Sequence, residues 1–145
     1  MPGLYLALVL TVIALNLAAA TVGAYSWFLD RVWIAFWYLL RVAQLGTLVF
    51  VVTEFVLYLS GDKADDQLHY LYVVLPVVVS FLAEGMRAGA AGQELGEVDH
   101  HTLSPEEQEE VAMLIVRREN GIMTVAAAVT AFLIWRAAVT TAGMF

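Results

Sequence analysis

Cysteine is absent from this 145-residue chain, and basic residues are few, with 7 Lys and Arg against 14 Asp and Glu. The absence of cysteine excludes disulfides, thiolate catalysis, iron–sulfur ligation and cysteine-linked haem. Charged residues of both signs make up 14% of the chain, where a soluble domain has about a quarter, and 61% of residues are hydrophobic. A globule of this size cannot bury so much apolar surface in water. The composition therefore indicates an integral membrane protein.

Four apolar segments follow one another along the chain, each near the roughly 20 residues that cross the hydrocarbon core of a bilayer. They cover residues 4–28, 33–60, 68–86 and 122–144. No Lys or Arg precedes the first segment, and a signal peptide needs a basic start, so we expect a retained helix. Because the first two connections are short, consecutive helices should be antiparallel. We predict one all-α membrane domain, an up-down four-helix bundle.

Basic residues mark the sidedness of the predicted spans. Arg31 lies in the first loop, while Arg87, Arg117 and Arg118 flank the third. The second loop has only Lys63 among several aspartates. Basic residues accumulate in cytoplasmic loops. We therefore predict that loops one and three are cytoplasmic and that both termini lie outside.

Residues 88–116 form a predicted acidic cytoplasmic loop. Ser104-Pro105-Glu106-Glu107 has the serine, proline and glutamate of a capped helix start. The apolar part that follows is too short to span, so we predict a short interfacial helix that lies on the cytoplasmic surface or continues into the fourth span. The acidic residues favour either a docking surface for a basic partner or a solubilising loop. They are Glu94, Glu97, Asp99, Glu106, Glu107, Glu109 and Glu110.

Residue types that can bind metals or haem occur within this loop and just after the second loop. Glu97, Asp99, His100 and His101 have ligand-like side chains, but flexible ligands lose entropy on ordering, so we expect a solvated loop and no metal site. His69 opens the third span. It is interpreted as an interfacial histidine bonded to nearby acids or headgroups, with haem ligation as the alternative.

Four charged residues lie inside the predicted spans, where an unpaired charge costs roughly 2.5–3.5 kcal/mol on insertion scales. Glu54 and Arg136 are at similar depths near one surface, and Arg41 and Glu84 near the other. We predict two interhelical pairs, Glu54–Arg136 and Arg41–Glu84, that set the helix register. The alternatives are arginines that reach to the headgroups and a proton path through the acids.

The second and third spans carry a family resemblance. Their segment RVAQLGTLVFVVTEFVLYLSGDKADDQLHYLYVVLPVVVSFLAEGMR, with RRENGIMTVAAAVTAFLIWRAA in the fourth, resembles small four-span bacterial membrane proteins of unassigned function. Arg-x-x-Gln in one helix and Leu-His opening the next are more distantly similar to one half of haem A synthase. The first resemblance implies a bacterial inner-membrane protein. The second implies His69 on the side of a b-type haem.

No catalytic motif, phosphate loop or nucleic-acid surface stands out in the sequence. Paired charges and little extramembrane mass favour an accessory or assembly subunit of a larger, energy-transducing bacterial membrane complex, without enzymatic activity of its own. Its expected partners are the lipid bilayer and other membrane subunits, with no cofactor. Two alternatives stay open: an electron-transfer subunit that binds haem or quinone near His69, and a small proton-coupled transporter that uses Glu54 or Glu84.

Overall fold

The computed structural model describes residues 2–31, 33–62, 64, 66–96 and 103–140. Within these residues the chain forms four α-helices and no strand: α1 (Pro2–Phe28), α2 (Ile34–Leu59), α3 (Gln67–Leu95) and α4 (Pro105–Thr140). Each helix is long and apolar enough to cross a membrane. The prediction of an all-α fold with four membrane-spanning helices is confirmed.

The last two helices extend beyond the spans that hydropathy predicted. α3 continues past residue 86 to Leu95, and α4 begins at Pro105 rather than at residue 122. The separate interfacial helix of the prediction is therefore wrong, and its alternative applies, because residues 105–119 run unbroken into the fourth span through Asn120 and Gly121. With 36 residues, α4 is ~54 Å long, against ~30 Å for the hydrocarbon core.

Local signals account for the helix ends. The α4 start is a capping box: the Ser104 N–H donates to Glu107 Oε2 at 2.8 Å, and Ser104 Oγ accepts from the Glu107 N–H at 3.3 Å. Asp66 caps α3 by accepting from the Leu68 N–H at 2.9 Å. After α2, Gly61 takes a φ of 87°, which glycine adopts without steric cost.

Apolar side chains fill the bundle in two clusters, one toward each membrane surface. α4 packs closely along both α1 and α3, α1 also packs on α2, and α2 and α3 approach each other less closely. One cluster includes Phe36, Leu40 and Met123, and the other includes Phe50 and Ile134. The centre of the fold is therefore α4.

Neutral polar side chains also join the helices. Asn16 of α1 donates to Thr47 Oγ1 of α2 at 3.1 Å, and Asn120 of α4 donates to Ser26 Oγ of α1 at 3.1 Å. Every buried side-chain nitrogen or oxygen in the described part of the chain has a hydrogen-bond partner. Such contacts stabilise helix association where the surrounding lipid is itself apolar.

Candidate functional site

One polar cluster receives a contribution from every helix. Tyr5 lies in the first turns of α1, Glu54 in the last turns of α2, His69 at the start of α3 and Ala137 near the end of α4. Antiparallel packing brings these four helix ends to the same side of the bundle. Only 6% of Glu54 and 2% of His69 are exposed. We call these four residues the four-helix polar node.

Hydrogen bonds connect the node in a chain. Tyr5 Oη donates to Glu54 Oε1. Glu54 Oε2 lies 3.0 Å from His69 Nε2, and His69 Nδ1 lies 2.9 Å from the Ala137 carbonyl oxygen. Thr140 Oγ1 donates to the same carbonyl at 2.9 Å. The carboxyl group therefore has a partner on each oxygen, and the imidazole has a partner on each ring nitrogen.

This geometry determines the protonation of the His69–Glu54 contact. A carbonyl oxygen only accepts, so His69 Nδ1 must carry a hydrogen. The contact between His69 Nε2 and Glu54 Oε2 then needs one proton between the two atoms. That proton resides either on the imidazole, giving an ion pair, or on the carboxyl, giving two neutral groups. In both states the pair has no net charge.

Glu54 is thus partnered by Tyr5 and His69 in place of Arg136. The predicted Glu54–Arg136 pair is not formed. The guanidinium carbon of Arg136 instead lies 5.4 Å from the ring centre of Tyr72 and 5.9 Å from that of Trp135. Arg136 precedes Ala137, and successive helix residues point ~100° apart, so when Ala137 faces the node Arg136 is turned away from it. Depth alone placed the two charges at one level without giving their directions.

The Glu54–His69 contact could not be read from depth or from counting along the hairpin. Glu54 lies five residues before the end of α2, whereas His69 lies two residues after the start of α3, so the two are not at equal distances from the turn. In the structure His69 is buried and bonded to an acid of the preceding helix, and it is not exposed at the interface.

A second polar cluster lies between α2 and α3, toward the other membrane surface. Arg41 Nη1 donates to Glu84 Oε1 at 2.5 Å and to Gln44 Oε1 at 2.7 Å. Arg87 Nε donates to the second carboxylate oxygen, Glu84 Oε2, at 2.8 Å, and Arg87 Nη1 lies 3.8 Å from Glu119 Oε2. The structure therefore brings Arg41 and Glu84 together, within a network of two acids and two bases.

Of the residues considered for metal or haem binding, the structure describes His69. His69 has both ring nitrogens in hydrogen bonds, so as placed it offers iron no free lone pair and does not fit a haem ligand. Glu97, Asp99, His100 and His101 lie outside the described residues. In the described part of the chain, no three His, Cys, Asp or Glu side chains converge on one point. The quinone form of the electron-transfer alternative stays a hypothesis.

Comparisons of this chain with protein-family models, with curated proteins and with solved structures find no match.

Proposed function

We propose that this chain is an accessory or assembly subunit of a larger bacterial membrane complex, of the energy-transducing kind. The observation that supports it best is the helical hairpin that α3 and α4 form beyond the membrane. Arg87 and Arg118 mark the headgroup level on these helices. Beyond Arg118, α4 continues outward for another 13 residues to Pro105, which is ~20 Å of rigid helix.

The outer part of this hairpin has two chemically distinct features. Glu106, Glu109 and Glu110 are all exposed on α4. Closer to the membrane, Met113 and Leu114 are 42% and 46% exposed. Carboxylates beside exposed apolar side chains favour a partner that presents basic residues around an apolar contact. We define residues 105–114 as the acidic arm.

Sidedness is the second part of the proposal. Arg31, Arg87, Arg117 and Arg118 all belong to the end of the bundle that carries the acidic arm, which favours a cytoplasmic location for that end. The anionic cytoplasmic leaflet repels the carboxylates, so the arm stands away from the lipid. The node then lies toward the outer surface of the bacterial inner membrane, with both termini on that side.

The intramembrane charges support a scaffold role within the same proposal. Glu54 and Glu84 each contact basic or proton-sharing partners from a neighbouring helix. Such contacts select one register of the four helices, because any sliding separates them. A bundle held in one register presents the acidic arm at a defined height and orientation to its partner.

The decisive experiment compares native masses in mild detergent, with co-purifying chains identified. We expect the wild-type chain to migrate within a larger assembly. Neutralising the arm with Glu106→Gln, Glu109→Gln and Glu110→Gln should release it. This triple variant keeps Glu107, so the α4 capping box is retained. Asp62→Asn, at the opposite membrane surface, is the control and should leave the assembly intact. A wild-type chain that migrates alone at 15.9 kDa refutes the proposal.

A second candidate, proton-coupled transport, draws support from the node. Buried ionisable groups that share a proton are the usual elements of intramembrane proton relays. Purified chain in liposomes with an internal pH dye tests this directly. Transport predicts a proton flux that Glu54→Gln abolishes, whereas Thr53→Val on the preceding position leaves it unchanged. A flux equal to that of empty liposomes, or one unaffected by Glu54→Gln, excludes a transport role for the node.

A further inference from the structure

A groove between α3 and α4 opens toward the lipid on the side of the bundle that carries the acidic arm. Its volume is about 560 Å³, and its walls are almost wholly apolar. Leu82 and Met86 of α3 face it from one side, and Ile122 and Val125 of α4 from the other. Arg117 and Arg118 lie at one end. No described side chain fills this space.

Small residues create the depth of the groove. Ala83 and Ala126 form part of its floor and are themselves buried, with 5% and 9% exposed. Gly121 lies at the arginine end, where a Cβ atom would come within 3.3 Å of the Trp27 ring. Larger side chains at these positions would occupy the space along α4. The small side chains at these positions therefore leave room for the groove.

The length of the groove matches one leaflet of a bilayer. From Arg118 to Val129, which also lines it, α4 rises ~16 Å. Half of the hydrocarbon core is ~15 Å thick. Trp27, 41% exposed, stands at the arginine end, where indole rings prefer the headgroup region. A chain that enters beside the arginines thus reaches the bilayer midplane at the far end.

The charge at the groove mouth selects the kind of headgroup. Arg117 Nε lies 3.1 Å from Asp30 Oδ1, and its guanidinium has no other partner among the described residues. More than half of that side chain is exposed. A guanidinium fork held on one side by a carboxylate has its remaining N–H groups ready for an anion. Basic pockets between membrane helices on the cytoplasmic side bind anionic headgroups.

We propose that this groove is a binding site for an anionic phospholipid. One acyl chain lies between α3 and α4, and the phosphodiester contacts Arg117 and Arg118. A zwitterionic lipid brings a cationic group toward the same two arginines, so it binds more weakly. An arginine at the headgroup level contributes up to roughly fivefold to the preference, and the Asp30 carboxylate offsets part of the Arg117 share. The inference uses the cytoplasmic sidedness proposed above, but it does not depend on the accessory-subunit role.

Native mass spectrometry of the delipidated full chain tests the site, with phosphatidylglycerol and phosphatidylcholine of identical acyl chains added in turn. We expect one retained phosphatidylglycerol per chain, and retention of phosphatidylcholine lower by an order of magnitude. Arg118→Gln should weaken phosphatidylglycerol retention roughly fivefold. The matched control is Arg136→Gln, an arginine near the other membrane surface, which should leave retention unchanged.

A second pair of variants tests the groove itself. Val125→Trp fills it, and Val52→Trp places the same side chain on the lipid-facing surface of α2. The two valines are 55% and 53% exposed, so the substitutions are matched. Val125→Trp should abolish retention of either lipid, and Val52→Trp should not. Equal retention of both lipids, or equal losses in the two arginine variants, would show bulk annular lipid only and overturn the proposal. Arg118→Gln is on the surface, so that comparison stands even where Val125→Trp fails to fold.

Discussion

Replacement of Glu54 removes the carboxyl group that joins Tyr5 to His69 in the node. Glu54→Leu keeps the approximate volume of the side chain but removes both oxygens. Tyr5 Oη then loses its acceptor on Glu54, and His69 Nε2 loses its contact with the Glu54 carboxyl group. Glu54 itself is only 6% exposed, so little water can take its place. The loss of such a contact costs about 1–3 kcal/mol for a buried polar group, so the two together give about 2–6 kcal/mol, with the part-buried Tyr5 at the low end of its share.

The membrane setting places the expected value in the lower part of this range. Interhelical hydrogen bonds in lipid contribute about 0.6 kcal/mol on average, because the separated helices find other partners. We therefore expect Glu54→Leu to lower the free energy of unfolding by about 2–4 kcal/mol. Glu54→Gln should cost less than about 1 kcal/mol, since its amide oxygen accepts from Tyr5 and its amide N–H donates to a neutral His69.

Reversible unfolding in mixed micelles, followed by tryptophan fluorescence, measures this difference. Phe55→Leu is the control, because Phe55 is 60% exposed to lipid and touches no part of the node's hydrogen-bond chain. The order expected is wild type, Glu54→Gln, then Glu54→Leu. A leucine variant as stable as wild type, or a glutamine variant as unstable as the leucine variant, would refute the network described for the node.

Three further substitutions test other parts of the structure. Gly23→Ala should destabilise the bundle by about 1–3 kcal/mol in the same unfolding assay, because its Cβ atom would lie 2.2 Å from Thr124 Oγ1. The control is Gly85→Ala, whose Cβ atom meets nothing within 4 Å and which should be neutral. Equal effects of the two substitutions would contradict the close packing of α1 on α4. Arg136→Leu should lower the free energy of unfolding by only about 0.5–1 kcal/mol, because the arginine loses its aromatic contacts. A decrease of several kcal/mol would instead indicate that Arg136 forms a buried ion pair. Ser104→Ala should weaken the α4 start by about 1 kcal/mol, seen as faster amide hydrogen exchange confined to the acidic arm, and uniform exchange along α4 would contradict it.

The membrane spans could be predicted from the sequence because the hydrocarbon core tolerates few charges, whereas the helix ends could not. A helix can continue beyond the edge of the bilayer. After residue 86 the chain continues as RAGAAGQEL, whose alanines sustain a helix although its hydropathy falls. Residues 105–119 are rich in glutamate, which is also a good helix former, so α4 begins well outside the apolar segment.

The polar contacts were readable to different degrees. Arg41 and Glu84 carry opposite charges at one depth, and that information sufficed to bring them together. For Glu54, the charge pattern favoured Arg136, because a histidine has no fixed charge to match. The Asn120–Ser26 contact had no sequence signal of this kind, since neutral side chains carry neither sign nor a marked penalty in a hydropathy profile. Its partners are 94 residues apart in the chain.

The central position of α4 has a consequence for the order in which the protein is made. α4 is synthesised after the other three helices, yet it supplies the carbonyl of Ala137 to His69 and the amide of Asn120 to Ser26. A nascent chain of three helices therefore holds polar groups in the membrane whose partners have not been synthesised. Such an intermediate exposes the binding surface of its missing helix to insertion factors and to other nascent helices. Insertion of α4 covers that surface, so the four-helix bundle closes only after the fourth helix is in place.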